Sequence, residues 1–296
     1  SRRQRQMCIR DRILSIFTST FSMSVPLILA ALGGVISVRS GIMALGLESM
    51  MTMGAFCGVL GSYYTGNVAA AILCGVAGGA LFGLCHGILS VRYKVNQVIS
   101  GIGLNLLAVA ATTLLMQLIW NNKGSSPQVA SIKQGVLTSP ITFIMLAAVA
   151  AEYFVLFRTR FGLRLRMVGE NPKAAATVGL PVHRIKYIAV VCCGMLAGLG
   201  GAYLSIDHLD MYVRDMSAGR GYIAVAIMIL ARYNPIMVVL CALIFGFSDA
   251  VQISLQGYGV PSQIMAMIPY IVTLLVLAFG VRQITPPAGV GAHDDE

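Results

Sequence analysis

Nine apolar runs divide this chain, over residues 13–36, 42–63, 67–91, 98–120, 140–157, 187–206, 222–230, 235–255 and 263–280. A helix needs about 20 predominantly apolar residues to cross about 30 Å of hydrocarbon, and most of the runs have that length. Pro26 falls inside the first run and is tolerable in a membrane helix. The second run is interrupted by Glu48, which predicts a broken or re-entrant segment rather than a plain span. Residues 222–230 supply only half a crossing, which predicts a half-helix buried in protein. Hydrophobic residues make up 57% of the chain and charged ones 11%. Soluble domains carry about 25% charged residues, so a water-facing surface is excluded. The fold class is all-α: a polytopic membrane protein of about eight to ten transmembrane or re-entrant helices.

The longest polar interval, residues 158–186, carries seven of the chain's 21 Lys and Arg residues. It contains a complete short-helix signal. Asn171 suits an N-cap, whose side-chain oxygen accepts from an orphan backbone N–H. Pro172 suits the first helical position. An Ala-rich run over 173–178 follows, Gly179 is free to take the left-handed conformation that ends a helix, and Pro181 forbids continuation. A helix this short does not hold itself in water, so it needs a surface to dock on, expected to belong to another protein.

The placement of charge predicts sidedness. With 158–186 in the cytoplasm, alternation puts Arg39, Arg92, Lys94, Arg232 and Arg282 there too, 12 positive residues in all. Lys123, Lys133, Arg214 and Arg220 fall on the outer side, which fits the positive-inside rule. The N-terminus lies outside if the second run spans and inside if it re-enters. The net charge of +10 is accounted for by these loops and does not indicate nucleic acid.

Residues 1–12, SRRQRQMCIRDR, are basic and lack the charge, apolar core and small-residue cleavage site of a signal peptide. Residues 7–12 resemble translated sequencing-adapter read-through, so the piece is expected to be a non-native or disordered tail. Residues 13–284 form one transmembrane domain, followed by a cytoplasmic tail over 285–296. Cys57, Cys74, Cys85, Cys192, Cys193 and Cys241 all lie in apolar runs, where Cys acts as a small hydrophobe. Free thiols and no metal site are expected.

Several residues stand out within the runs. Gly75, Gly79, Gly83 and Gly87 recur every four positions and form a smooth stripe for close helix packing; Gly194 with Gly198 and Gly54 with Gly58 repeat the device. Glu48 is a charge in an apolar run, either part of a solute path or buried at a helix break against backbone N–H groups. Asn105, with Ser100 on one side and Thr112 and Thr113 on the other, binds a polar solute or holds a neighbouring helix. Asp249, beside Ser248 and Gln252, pairs with Arg220 or lines an outer vestibule. Glu152 and His86 read as interfacial or helix-to-helix partners. No G-x-x-x-x-G-K-[ST] motif, H-E-x-x-H motif or Ser/His/Asp arrangement is present, so neither ATP binding by this chain nor enzyme activity is expected.

Four segments carry a family likeness: PLILAALGGVISVRSGIMALGLESMMTMGAFCGV (26–59), NQVISGIGLNLLA (96–108), GLRLRMVGENPKAAATVGL (162–180) and GRGYIAVAIMILARYNP (219–235). In this order they resemble permease subunits of ATP-binding-cassette importers of the simple-sugar and nucleoside branch, related to ribose-type and branched-chain-amino-acid-type permeases. The shorter of two paired nucleoside permeases is the nearer likeness. Ser49 departs from the Gly expected in a Gly-Leu-Glu-Gly-Met pattern.

The resemblance implies a multi-pass subunit of the bacterial inner membrane. It implies separate ATPase subunits that bind the ATP, a second and different permease, an extracellular solute-binding lipoprotein, and a nucleoside or simple sugar as solute. It makes 171–179 a coupling helix in a groove of the ATPase, with Gly169, Glu170, Asn171, Pro172, Ala174, Ala175 and Gly179 at that interface. Glu48, Asn105, Ser100 and Asp249 are the candidates for the solute path. Two rivals remain: an ion-coupled secondary transporter using Glu48, Asp249 or Glu152, and a structural membrane subunit indifferent to alanine at Asn105 and Glu48.

Overall fold

The computed structural model describes residues 2–130, 139–255, 267–280 and 287–291. Lys133, Arg282 and residues 263–266 of the last apolar run lie outside them. Among the described residues, six helical stretches are long and apolar enough to cross a membrane: Ile16–Arg39, Val68–Arg92, Gln97–Trp120, Pro140–Arg158, Val182–His208 and Pro235–Leu255.

The first of these belongs to α1 (Arg2–Arg39). No Gly or Pro precedes Pro26, so nothing stops the helix toward its start, and residues 2–12, expected as a non-native or disordered tail, continue α1. In the most apolar 18-residue stretch of α1, 89% of the residues are buried, which makes this helix the axis of the bundle. It packs on α8 (Val182–Ala202), α10 (Pro235–Leu255) and α9 (Arg220–Leu230).

Helix α2 (Leu47–Thr65) lies between α3 (Val68–Gly87), α4 (Gln97–Trp120) and α8. Its 19 residues span about 28 Å. It carries Glu48, Ser49, Thr52 and Ser62 among its buried residues, which suits a helix whose neighbours are protein rather than lipid. The second apolar run is thus broken at its start: residues 42–44 are non-helical, residues 45–46 form a turn, and the helix begins only at Leu47.

Helices α3 and α8 each end in a π-helical turn, Ile88–Arg92 and Tyr203–His208. Helix α5 (Pro140–Arg158) leads into α6 (Arg160–Glu170) and the short α7 (Pro172–Thr177), and α11 (Ile268–Gly280) packs on α10. Helix α9 has the half-crossing length anticipated for residues 222–230 and begins two residues earlier.

The two ends of the bundle can be told apart. At one, the Arg39 guanidinium donates to Tyr233 O (3.2 Å) and Gly289 N donates to Gly169 O (2.9 Å). At the other, Ser126 N donates to Tyr212 O, Arg214 N to Gly124 O and Ser62 Oγ to Ala130 O. Helix α2 runs from the first end toward the second, so the chain's N-terminus and the 158–186 loop lie at opposite ends. Arg220, expected in an outer loop, instead opens α9 within the bundle.

A seam of glycines draws α2, α3 and α8 together. A Cβ on Gly198 would sit 2.6 Å from Gly75 O, and one on Gly83 would sit 2.8 Å from Val190 O. Gly79 and Gly194 each face the other's backbone carbonyl, and Gly54 faces Gly198. Gly87, the last of the stripe, faces side chains instead, the Tyr187 ring at 3.3 Å and Val190 Cβ at 3.8 Å, and stands outside the seam. At these positions two helix backbones touch directly, and no side chain larger than hydrogen fits between them.

Candidate functional site

The 158–186 interval folds as two short helices. Thr159 Oγ1 accepts from Gly162 N (3.2 Å) and so caps α6. Leu165 and Val168, three apart, are buried on one face of α6, while Arg164 and Met167 are exposed. The sequence reading missed α6, although Thr159 and this spacing signal it. Asn171 then caps α7 through Ala174 N (3.0 Å). At the other end Gly179 has φ +82°, its N–H reaches Ala176 O (2.9 Å), and Leu180 N reaches Ala175 O (3.1 Å). These paired bonds form the Schellman arrangement that ends a helix in a left-handed residue.

Pro172 and Ala175 are buried against the bundle, while Glu170, Asn171, Lys173, Ala174, Ala176 and Thr177 are exposed and Val178 is 70% exposed. Gly169 is buried against the Arg39 carbonyl. The segment over residues 287–291 returns to this corner: Gly289 bonds Gly169, Ala288 N approaches Glu170 Oε2 (3.5 Å), and a Cβ on Gly289 would sit 2.9 Å from Pro172 Cδ. The result is a doubly capped helix, anchored on one face and bare on the other.

A second constellation surrounds the non-helical lead-in to α2. Inside a membrane, non-helical backbone is tolerated only where protein satisfies its polar groups. Here Met43 N donates to Gln97 Oε1 (2.7 Å), Met43 O faces His86 Nε2 (3.0 Å), Ile42 O accepts from Ser37 Oγ (2.9 Å), and Leu45 O accepts from Asn105 Nδ2 (3.2 Å). A carbonyl only accepts, so His86 carries its proton on Nε2 and its Nδ1 accepts from Ser100 Oγ (3.1 Å).

Asn105 also accepts from Ser49 N (3.0 Å) and donates to Tyr222 Oη (2.8 Å), which joins α4 to α2 and α9. Ser49 is fully buried, and its hydroxyl donates to Gly46 O (2.6 Å). Its extra side chain therefore finds a partner at the helix break.

Glu48 is 6% exposed and belongs to the same knot. Its Oε1 accepts from Ser217 Oγ (2.6 Å) and Gly219 N (3.0 Å), and its Oε2 accepts from Gly221 N (2.6 Å). These backbone N–H groups open α9, where the helix dipole favours negative charge. Gly219 has φ +79°, and a Cβ on Gly221 would lie 2.5 Å from Glu48 N, so both glycines are required for the approach. Glu48, Ser100 and Asn105 are thus brought together by the broken helix. Asp249 lies apart, on α10, with its Oδ2 3.7 Å from Arg220 Nε. It lines a cavity of ≈ 130 Å³ with Gln252 and Tyr270. A wider groove of ≈ 660 Å³ runs along the outward face of α4 past Thr113 and Gln117 to Lys123 and Arg214.

No catalytic constellation emerges from these residues, and no group of three or more His, Cys, Asp or Glu gathers to hold a metal among the described residues. A multi-pass all-helical bundle with a non-helical entry to one buried helix and a capped helix projecting from one end defines the class: a membrane permease. The chain belongs to the family described as branched-chain amino acid transport system / permease component, whose model matches residues 16–277. It is 35% identical to the guanosine ABC transporter permease protein NupQ of Bacillus subtilis, over 95% of this chain and 96% of that one. It is equally 35% identical to the nucleoside ABC transporter permease protein NupC of Lactococcus lactis, over 91% and 93%. The putative glucose ABC transporter permease protein TsgC13 of Haloferax volcanii is 32% identical, over 90% and 91%.

Proposed function

We propose that this chain is the membrane permease subunit of an ATP-binding-cassette importer for nucleosides in a bacterial inner membrane. The observation that carries the reading is α7. A six-residue helix capped at both ends, with one face on the bundle and the other bare, is built to transmit a push and not to stand alone. Its bare face takes up a groove of a separate ATPase subunit, which binds the ATP; this chain holds no cofactor of its own. Gly169, Glu170, Asn171, Pro172, Ala174, Ala175 and Gly179 form or position that contact.

A second, different permease completes the solute path, and the open groove along α4 supplies one wall of it. An extracellular lipoprotein delivers the solute. Glu48, Ser100 and Asn105 act as anchors of the broken helix, so that movement of α7 reaches α9 through Arg39 and Tyr233. Asp249 and Gln252 face the solute near the outer end. Nucleosides come first because NupQ and NupC bear those names; a simple sugar is the second reading, favoured by TsgC13.

The test is affinity capture of the full chain expressed with its genomic neighbours. A P-loop ATPase is expected to co-purify, and Glu170→Arg is expected to reduce its recovery at least tenfold with normal membrane insertion. Uptake of labelled guanosine by the captured complex should exceed uptake of ribose. Recovery of the chain alone, still transporting in liposomes, would instead establish the ion-coupled transporter.

A further inference from the structure

Between α5 and α8 the bundle leaves a cavity of ≈ 360 Å³ that none of the transport machinery above uses. Ile36 of α1, Phe161 and Leu165 of α6, and Cys192 and Leu196 of α8 form walls that are almost wholly apolar. The polar group on its lining is Glu152 of α5, which is 5% exposed and has neither carboxyl oxygen hydrogen-bonded. The other buried carboxyls described in transport terms are provided for: Glu48 by three donors and Asp249 by Arg220. Glu152 is an ionisable group held in hydrocarbon with nothing opposite it to stabilise a charge, and such residues are rarely left without a function.

The mouth of the cavity identifies what reaches it. Val155, Ile188 and Met195 line it and are 36%, 48% and 41% exposed, on faces of α5 and α8 that belong to membrane-spanning stretches. A ligand therefore arrives from the bilayer, apolar body first or alongside. Glu152 lies six residues before Arg158, hence about 9 Å inside the loop-side end of α5. That depth is within reach of a head group sliding down from the interface.

The occupant must fill an apolar slot and give hydrogen bonds to two carboxyl oxygens. An alcohol gives one, an anionic amphiphile is repelled, and a quaternary ammonium has no N–H to give. A primary ammonium gives three, and its charge is complementary. We propose that this cavity binds a single-chain amphiphilic primary amine drawn from the bilayer, with its ammonium on Glu152 and its chain along α8. The site is independent of the importer reading and survives its failure.

The experiment places the full chain in phosphatidylcholine nanodiscs, which contain no primary amine, and titrates radiolabelled dodecylamine. One saturable equivalent per chain is expected. Glu152→Gln should weaken binding at least tenfold. Ala151→Trp, at the mouth with the carboxyl intact, should do the same; the fluorescence of Trp120, in untouched α4, verifies that the Glu152→Gln protein is folded, and size exclusion does so for Ala151→Trp. Dodecanol and dodecyltrimethylammonium should not compete. Uptake that never saturates, binding unchanged in both variants, competition by dodecanol equal to that of the amine, or displacement by added phosphatidylethanolamine in place of the amine would each overturn the proposal.

Discussion

The glycine seam and the Glu48 knot hold the same helix by opposite means. Along the seam, α2 and α3 meet α8 through bare backbone, and the attraction is dispersion between surfaces in direct contact. At the knot, α2 meets α4 and α9 through a carboxylate, an amide and the N–H groups of broken backbone. The seam tolerates nothing added and asks for no particular partner atom. The knot tolerates nothing removed, because each group taken away strands another in a medium without water. The first kind of junction suits parts that stay together, and the second suits a joint whose backbone is irregular.

Variants that add to the seam and subtract from the knot test this contrast, with stability followed by the fluorescence of Trp120, the chain's single tryptophan. Trp120 stacks edge-on with Phe56 and Tyr63 of α2 (centroids 5.8 and 5.7 Å), so it reports on the helix both junctions hold. The largest effect is expected from Gly198→Leu, which drives a side chain into α3: no monodisperse protein should be recovered in detergent. Recovery of a folded, active Gly198→Leu protein would break the contrast from the seam side. Glu48→Ala should come next and cost about 3 kcal/mol, by leaving the opening N–H groups of α9 unpaired.

Asn105→Ala should cost about 1–3 kcal/mol, measured in the same unfolding assay, because Leu45 O and Ser49 N lose their partners. A loss as small as that of an exposed residue would mean that water replaces the amide and that the knot is wet. The smallest effect belongs to Ser49→Gly, about 0.5 kcal/mol, for one hydrogen bond to Gly46 O between groups with other neighbours. A larger loss there would show that this chain has come to depend on its departure from the Gly-Leu-Glu-Gly-Met pattern.

What the sequence revealed follows the range over which each feature is encoded. Helix α7 was readable to within a residue, because Asn171, Pro172, Gly179 and Pro181 act on their immediate neighbours. The half-length of α9 and the four-residue spacing of Gly75, Gly79 and Gly83 were equally local. The partners of Glu48 were not, since Ser217, Gly219 and Gly221 lie some 170 residues away and nothing near Glu48 names them. Gln97 drew no reading, and His86, expected as an interfacial or helix-to-helix partner, could not be matched to Ser100 and Met43 from its neighbours in sequence. The π-helical ends of α3 and α8 likewise left no mark in composition.

The seam also has a consequence at the level of the gene. Every single-base change of a glycine codon that replaces the glycine with another amino acid installs a residue that carries a Cβ. At Gly79, Gly194 and Gly198 that carbon has no room, and a compensating retreat of the opposing backbone is not available in one step either. These codons therefore sit in isolated positions of sequence space, with synonymous changes as their only open neighbours. A saturation scan read by transport should find them as empty columns.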